Sequence, residues 1–324
     1  MYRVTGKSVP EVKCPVDRKS FGKLWKAIWQ SRKALKINRS LETNRTLGIL
    51  ENVDPSRWKE HLFGLPPERW RRLSGKAFWI TGSGTGYGRS IGSALAAAGA
   101  QVFLTGRRVE KLKETLDEMS SLFGINLERC HIIRADLTQL KDIKMACDEV
   151  KSLSNCLHGI VHCAALPSKP GSRYPLHDDL IEYWDQMIAT NVRAPWLLTR
   201  TIFPHMIRSG EVRVVFMTSE AGWANTSGFG MYNVTKAALN SLGHSMAREY
   251  AARYPDMDIQ MNVVSPSEAR TEMNQGSSIS PYSIVCIVLF LLSHPKGGPN
   301  GKFFHRDGRH LRFCYTEPYR RVLV

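Results

Sequence analysis

Ala77-Phe-Trp-Ile-Thr81 runs directly into Gly82-Ser83-Gly84-Thr85-Gly86-Tyr87-Gly88, and a helix-forming stretch through Ala98 follows. The apolar run reads as a buried strand. The glycines let the backbone turn sharply and come close to a pyrophosphate. A helix N-terminus behind them offers unpaired N–H groups and the positive end of its dipole. A glycine cluster alone could be only a tight turn. Set between a strand and a helix, with a second βα unit behind, it points to nucleotide binding.

Outward from that turn the pattern repeats. Gln101–Thr105, His131–Ala135, Gly159–His162, Val212–Met217, Ile259–Val264 and Gly301–Phe304 read as further strands. Helical periodicity fills the gaps, including Val109–Leu122, a largely helical 178–205 and a very apolar Tyr282–Leu292. Alternation of this kind predicts an α/β fold. The sheet would be doubly wound, parallel, seven-stranded and Rossmann-type, with helices on both faces. Residues 73–310 form this body. Residues 1–72 are a basic N-terminal extension and 311–324 a tail.

A second stretch carries chemistry. Ser219 follows the strand ending at Met217, so its hydroxyl falls at the carboxyl edge of the sheet, where open α/β sheets bind ligands. Met231-Tyr232-Asn-Val-Thr-Lys236 opens a helix with apolar spacing through Leu239 and Leu242. Tyr232 and Lys236, four apart, share a face. An ammonium beside a phenol is expected to lower the phenol's pKa and suit it to proton transfer. Tyr-x-x-x-Lys alone is a weak signal. The upstream Ser219 and the glycine turn give it weight.

With these motifs in order, residues 73 to 310 resemble the short-chain dehydrogenase/reductase family, whose strand order is 3-2-1-4-5-6-7. The spacing Gly82, Gly86, Gly88 is similar to that family's version of the glycine motif. The resemblance implies that Tyr232 is the acid/base, that Lys236 binds the nicotinamide ribose and tunes Tyr232, and that Ser219 hydrogen-bonds the reacting oxygen. It also implies that Asn191 sits next to Lys236 to complete a tetrad. Gly82, Ser83, Gly84, Thr85, Gly86, Tyr87 and Gly88 would cradle the cofactor. Asp136, with Leu137 beside it, would meet the adenine, although Asp136 could equally cap the following helix. Ala164, Pro266 and Thr271 would line the nicotinamide side. Two departures stand out. His162-Cys163-Ala164-Ala165 replaces the usual Asn-Asn-Ala-Gly, and Ser267 replaces the glycine after Pro266.

Cofactor choice is read at the second strand's end. Gly106 stands where NAD-preferring relatives carry Asp, and Arg107 and Arg108 follow. A guanidinium fork suits a 2′-phosphate, so NADP(H) is expected. The bland reading is that both arginines only start a solvated helix.

Composition sets outer bounds. The 324 residues carry a net charge of +16, and residues 1–75 hold 17 Lys/Arg against 7 Asp/Glu, leaving 28 against 22 for the rest. The basicity therefore belongs mostly to the extension. Within it Phe21, Leu24, Trp25, Ile28 and Trp29 form one face of an amphipathic helix over 21–36. Docking on the protein's own body or a sister subunit is the ordinary use of such a helix. Its lysines and tryptophans also suit a peripheral membrane contact. Seven scattered cysteines without Cys-x-x-Cys argue against a disulfide framework or metal site and for a reducing, cytoplasmic setting. No secretory signal and no nucleic-acid recognition motif is apparent.

The expected activity is hydride transfer between NADP(H) and an alcohol or carbonyl. A short gap from Thr271 to Pro281 suggests an open site for a bulky, sugar-linked or carrier-linked substrate. The alternative is a non-catalytic NADP-binding regulatory or membrane-surface scaffold protein. Family resemblance further implies a homo-oligomer.

Overall fold

A computed structural model describes residues 54, 57–167, 176–178 and 180–311. The amphipathic stretch 21–36, the start of a helix at Pro55 and the tail beyond Leu311 lie outside the described residues.

The body is a seven-stranded parallel sheet. In chain order its strands are β1 (Ala77–Thr81), β2 (Gln101–Gly106), β3 (Cys130–Arg134), β4 (Gly159–His162), β5 (Glu211–Met217), β6 (Asp258–Ser265) and β7 (Phe303–His305). Their order across the sheet is β3-β2-β1-β4-β5-β6-β7, as expected. Strand limits shift from the sequence reading by a residue or two. Strand-to-strand reversal at β1 places a crevice above the carboxyl ends of β1 and β4.

The helices are α1 (Pro67–Arg71), α2 (Gly86–Ala97), α3 (Val109–Phe123), α4 (Leu140–Leu153), α5 (Ile181–Ile188), α6 (Ala194–Met206), α7 (Ala221–Ala224), α8 (Met231–Arg253) and α9 (Val285–Leu292). Alternate strand residues face opposite layers. Phe78 and Ile80 pack with Ile91, Leu95, Leu112 and Val288 on one side. Trp79, Phe103 and Phe216 pack with Ile143, Leu198 and Met246 on the other. The apolar run α9 is buried almost throughout, as its composition predicts. Among the described residues no helix is long and apolar enough to cross a membrane.

Two features differ from the sequence reading. The end of the extension is built into the body. Trp58, Phe63 and Leu65 belong to the first core cluster, and Phe63 stacks on Trp70 at 5.8 Å. Arg72 also donates from Nε to the Ser293 carbonyl at 2.8 Å. The boundary at 73 therefore cuts through packed structure. Second, the helical region after Ile181 is interrupted by a π-helical turn, Ala189–Arg193, which carries Asn191. Such single π-turns are rare and gather at functional sites.

Candidate functional site

β5 delivers Ser219 to the carboxyl edge of the sheet, and α7 starts at once behind it. The Ala221 N–H donates to Ser219 Oγ at 3.2 Å. The first two turns of α8 bring Tyr232 and Lys236 to the same place. Ser219 hydrogen-bonds the Tyr232 phenol. Lys236 Nζ donates to the Met217 carbonyl at 2.9 Å and lies 5.5 Å from the Tyr232 ring centre. Both side chains are buried, with Tyr232 8% and Lys236 3% exposed. Ser219, Tyr232 and Lys236 thus lie together at the carboxyl edge of the sheet.

The electrostatics differ from that reading. Burial pushes the Tyr232 phenol up to about 12, and the Ser219 hydrogen bond only partly opposes it. The Lys236 charge does not set the direction of the phenol's shift. Burial instead lowers the ammonium itself to about 8, with Cys163 acting weakly the other way. Desolvation disfavours both charged forms.

Asn191 lies beside Thr235, the neighbour of Lys236 in the chain. Its Oδ1 accepts from the Leu166 N–H at 2.7 Å, and its Nδ2 donates to the Leu166 carbonyl at 3.0 Å. A third bond runs from Nδ2 to Thr235 Oγ1 at 3.1 Å. Asn191 therefore ties the exit of β4 to α8, one residue from Lys236, and its side-chain bonds do not go to Lys236 itself.

The glycine turn has the shape of an anion cradle. No side chain caps the N-terminus of α2, so its first N–H groups face the crevice. A Cβ on Gly88 would stand 2.3 Å from the Gly82 carbonyl oxygen, so no larger residue fits. Arg89, which the sequence reading passed over, braces the turn. Its Nη2 donates to the Gly84 carbonyl at 2.6 Å while Nη1 meets Glu118 at 3.2 Å. Thr85, Gly86 and Tyr87 surround the open N-terminus. Ser83 is turned inward: it is fully buried and its hydroxyl donates to the Thr105 carbonyl.

At the β2 and β3 exits, Arg107, Asp136, Thr138 and Arg193 help line a cavity of about 410 Å³. Asp136 Oδ1 accepts from the N–H and hydroxyl of Thr138 at 3.0 and 2.8 Å, a turn cap ahead of α4. Leu137 is buried in the second core. Arg108 is engaged by Glu272 at 2.6 Å. Ala164 donates its N–H to Thr81 Oγ1 at 3.2 Å, beside Gly82. Pro266 is buried, and the methyl of Thr271 rests over Gly86.

Both departures from the expected pattern have local contacts, although His162 Nδ1 is buried without a hydrogen-bond partner. His162 is a core residue. Its Nε2 meets Thr199 Oγ1 at 2.8 Å, its ring stacks on Phe216 at 5.2 Å, and burial pushes it down to about 3, hence neutral. Burial pushes the neighbouring Cys163 thiol up to about 12. Among the described residues no cluster of three His, Cys, Asp or Glu could hold a metal. Ser267 keeps a left-handed backbone with φ of 57°, the conformation a glycine would hold, and its carbonyl accepts from the Tyr87 hydroxyl at 2.9 Å.

The chain is 27% identical over 253 residues to 3-oxoacyl-[acyl-carrier-protein] reductase FabG of Aquifex aeolicus, covering 73% of this chain and 98% of that protein. It is 29% identical over 208 residues to human dehydrogenase/reductase SDR family member 4, covering 63% of this chain and 69% of that protein. A solved short chain dehydrogenase from Pseudomonas syringae superposes with a TM-score of 0.66 at 27% identity, covering 73% of this chain and 96% of its own. A Shigella flexneri structure complexed with NADP superposes with a TM-score of 0.65 at 23% identity, covering 73% and 99%. The short chain dehydrogenase family model matches residues 76–280, more than half of the chain. With that match over a sheet of this order and this edge geometry, the chain belongs to the short chain dehydrogenase family.

Proposed function

We propose that the protein is an NADP(H)-dependent oxidoreductase that interconverts an alcohol and a carbonyl. The observation that carries the reading is the meeting of half-buried Ser219 with buried Tyr232 and Lys236 on the sheet's carboxyl edge. The residues present fit the cofactor. The uncapped start of α2 and the close-packed glycines would take the pyrophosphate. Arg107 beside Asp136 would take the adenosine end, and the absence of an acid at the end of β2 favours a phosphorylated ribose. The Shigella flexneri relative complexed with NADP supports the same choice.

The nicotinamide, when bound, supplies or accepts the hydride. In the reducing direction Ser219 and Tyr232 hydrogen-bond the carbonyl oxygen, and Tyr232 gives it a proton. With its phenol held at about 12, Tyr232 keeps that proton available at neutral pH. Lys236, fixed by the Met217 carbonyl, would offset the charge left on Tyr232 and would bind the ribose hydroxyls.

The substrate side supports a bulky partner. Between Thr271 and Pro281 the chain makes only a small turn, bridged at Thr271 and Asn274, with no helical lid. Leu166, Tyr183 and Trp184 pack against the small cluster that contains Tyr232, and the exposed Phe229 lies 6.3 Å from the Tyr232 ring. That wall suits a large apolar body or the nonpolar face of a sugar.

Tyr232→Phe tests the assignment. Turnover of a carbonyl panel with NADPH should fall at least about a thousandfold, while NADPH binding, read by tryptophan fluorescence, stays within about twofold of the parent. Retained turnover would remove Tyr232 from the chemistry.

A further inference from the structure

Arg108 and Glu272 lie 164 residues apart in sequence, yet Arg108 Nη2 stands 2.6 Å from Glu272 Oε2. The pair joins the exit of β2 to the segment that follows β6. Two other contacts press that segment onto the glycine turn. The Thr271 methyl sits 3.0 Å from where a Cβ on Gly86 would be, and the Tyr87 hydroxyl donates to the Ser267 carbonyl at 2.9 Å. Glu272 is thus the outer latch of a strap, residues 267–272, laid over the start of α2.

Resting on the NADP(H) reading, we infer that Glu272 is a specificity-determining residue for the cofactor. It acts as an internal anion that holds Arg108 and competes with the ribose 2′-phosphate for the same guanidinium. Carboxylate and phosphate use the same N–H donors of the arginine fork. Arg107, at the same exit, makes no ion pair among the described residues, so the two arginines are not equivalent. Arg107 is ready for an anion, whereas Arg108 must first release Glu272. A cofactor without the 2′-phosphate does not compete and leaves the latch closed. The phosphorylated cofactor opens it and frees Thr271 and its neighbours, which border Gly86 and the nicotinamide end of the crevice. Glu272 therefore both trims the preference for NADPH and couples the phosphate to the strap.

The pair is about half exposed on both sides, 51% and 48%, which sets the size of the effect. Exposed ion pairs of this kind shift equilibria by about two- to fivefold.

The test is tryptophan-fluorescence titration of the full chain with NADPH and with NADH. It compares the parent, Glu272→Gln, Arg108→Gln and the double variant at low salt. Glu272→Gln should bind NADPH about two- to fivefold tighter and NADH as before. The gain should fade at high salt and disappear in the Arg108→Gln background. NADPH affinity unchanged or weakened by Glu272→Gln, or both cofactors tightened alike, overturns the inference. A parent chain that binds NADH better than NADPH overturns the cofactor reading and the inference with it. A parent that prefers NADPH while Glu272→Gln changes nothing sinks only the inference.

Discussion

A methyl group on the Gly222 Cα would stand 2.8 Å from the carbonyl carbon of Lys236 and 2.7 Å from Asn240 Nδ2. At this point α7, the short helix carrying the residues just after Ser219, rests directly on the turn of α8 that holds Lys236. A side chain here meets backbone, which cannot rotate away. Gly222→Ala should therefore force the two helices apart. A loss of about 1–3 kcal/mol in denaturant unfolding is expected, the usual cost of overpacking a tight contact. Because the displaced groups are Ser219 and Lys236, kcat should fall as well. A variant with unchanged kcat and unchanged stability would show that the helices have room to spare.

Ser267 offers a test in the opposite direction. Its φ of 57° puts a side chain in the left-handed region, which costs about 1–2 kcal/mol for a residue with a Cβ. Glycine removes that cost and gives back about 0.5–1 kcal/mol through its larger unfolded-state entropy. Ser267→Gly should raise stability by about 0.5–1 kcal/mol, with the Tyr87 bond to the 267 carbonyl retained. A fall in the urea midpoint would mean that the serine side chain makes up for its backbone.

The features that sequence pattern reveals are those set by neighbours along the chain. Each strand is a short apolar run followed by a helix, so the sheet and its helices were readable from periodicity. Tyr232 and Lys236 share a helix face at four-residue spacing, and Ser219 is placed by the strand before it. Other features depend on partners distant in sequence. The Arg108–Glu272 pair, the Arg89 brace to Gly84 and Glu118, and the packing of Trp58 and Phe63 into the core have no local signature. The π-turn at Asn191 falls in the same class. An asparagine within a helix signals that something is unusual, but not that its bonds will go to Leu166 and Thr235. The direction of the Tyr232 shift is not legible in the sequence for a different reason. Charge proximity can be read from spacing, whereas burial of both groups appears only once the fold is assembled, and here burial dominates.

Lys236 makes that burial measurable. Its ammonium is pushed down to about 8, while an unfolded lysine titrates near 10.4. Below pH 8 both states carry the charge, and the folded state bears the full cost of burying it. Between pH 8 and about 10.4 the unfolded chain binds more protons than the folded one, so stability rises with pH across that window. Lys236→Met removes this titration. The difference in unfolding free energy, parent minus variant, should therefore increase by about 2 kcal/mol from pH 7 to pH 10. The lost bond to the Met217 carbonyl adds a constant offset that does not change with pH. Tyr232, present in both proteins and held at about 12 when folded, contributes alike to each and drops out of the difference. Urea unfolding of the two proteins at pH 7, 8, 9 and 10 measures this. A difference that stays flat across the series would mean that Lys236 keeps an ordinary lysine pKa. The ammonium would then have to be solvated at the bottom of the crevice, contrary to its burial.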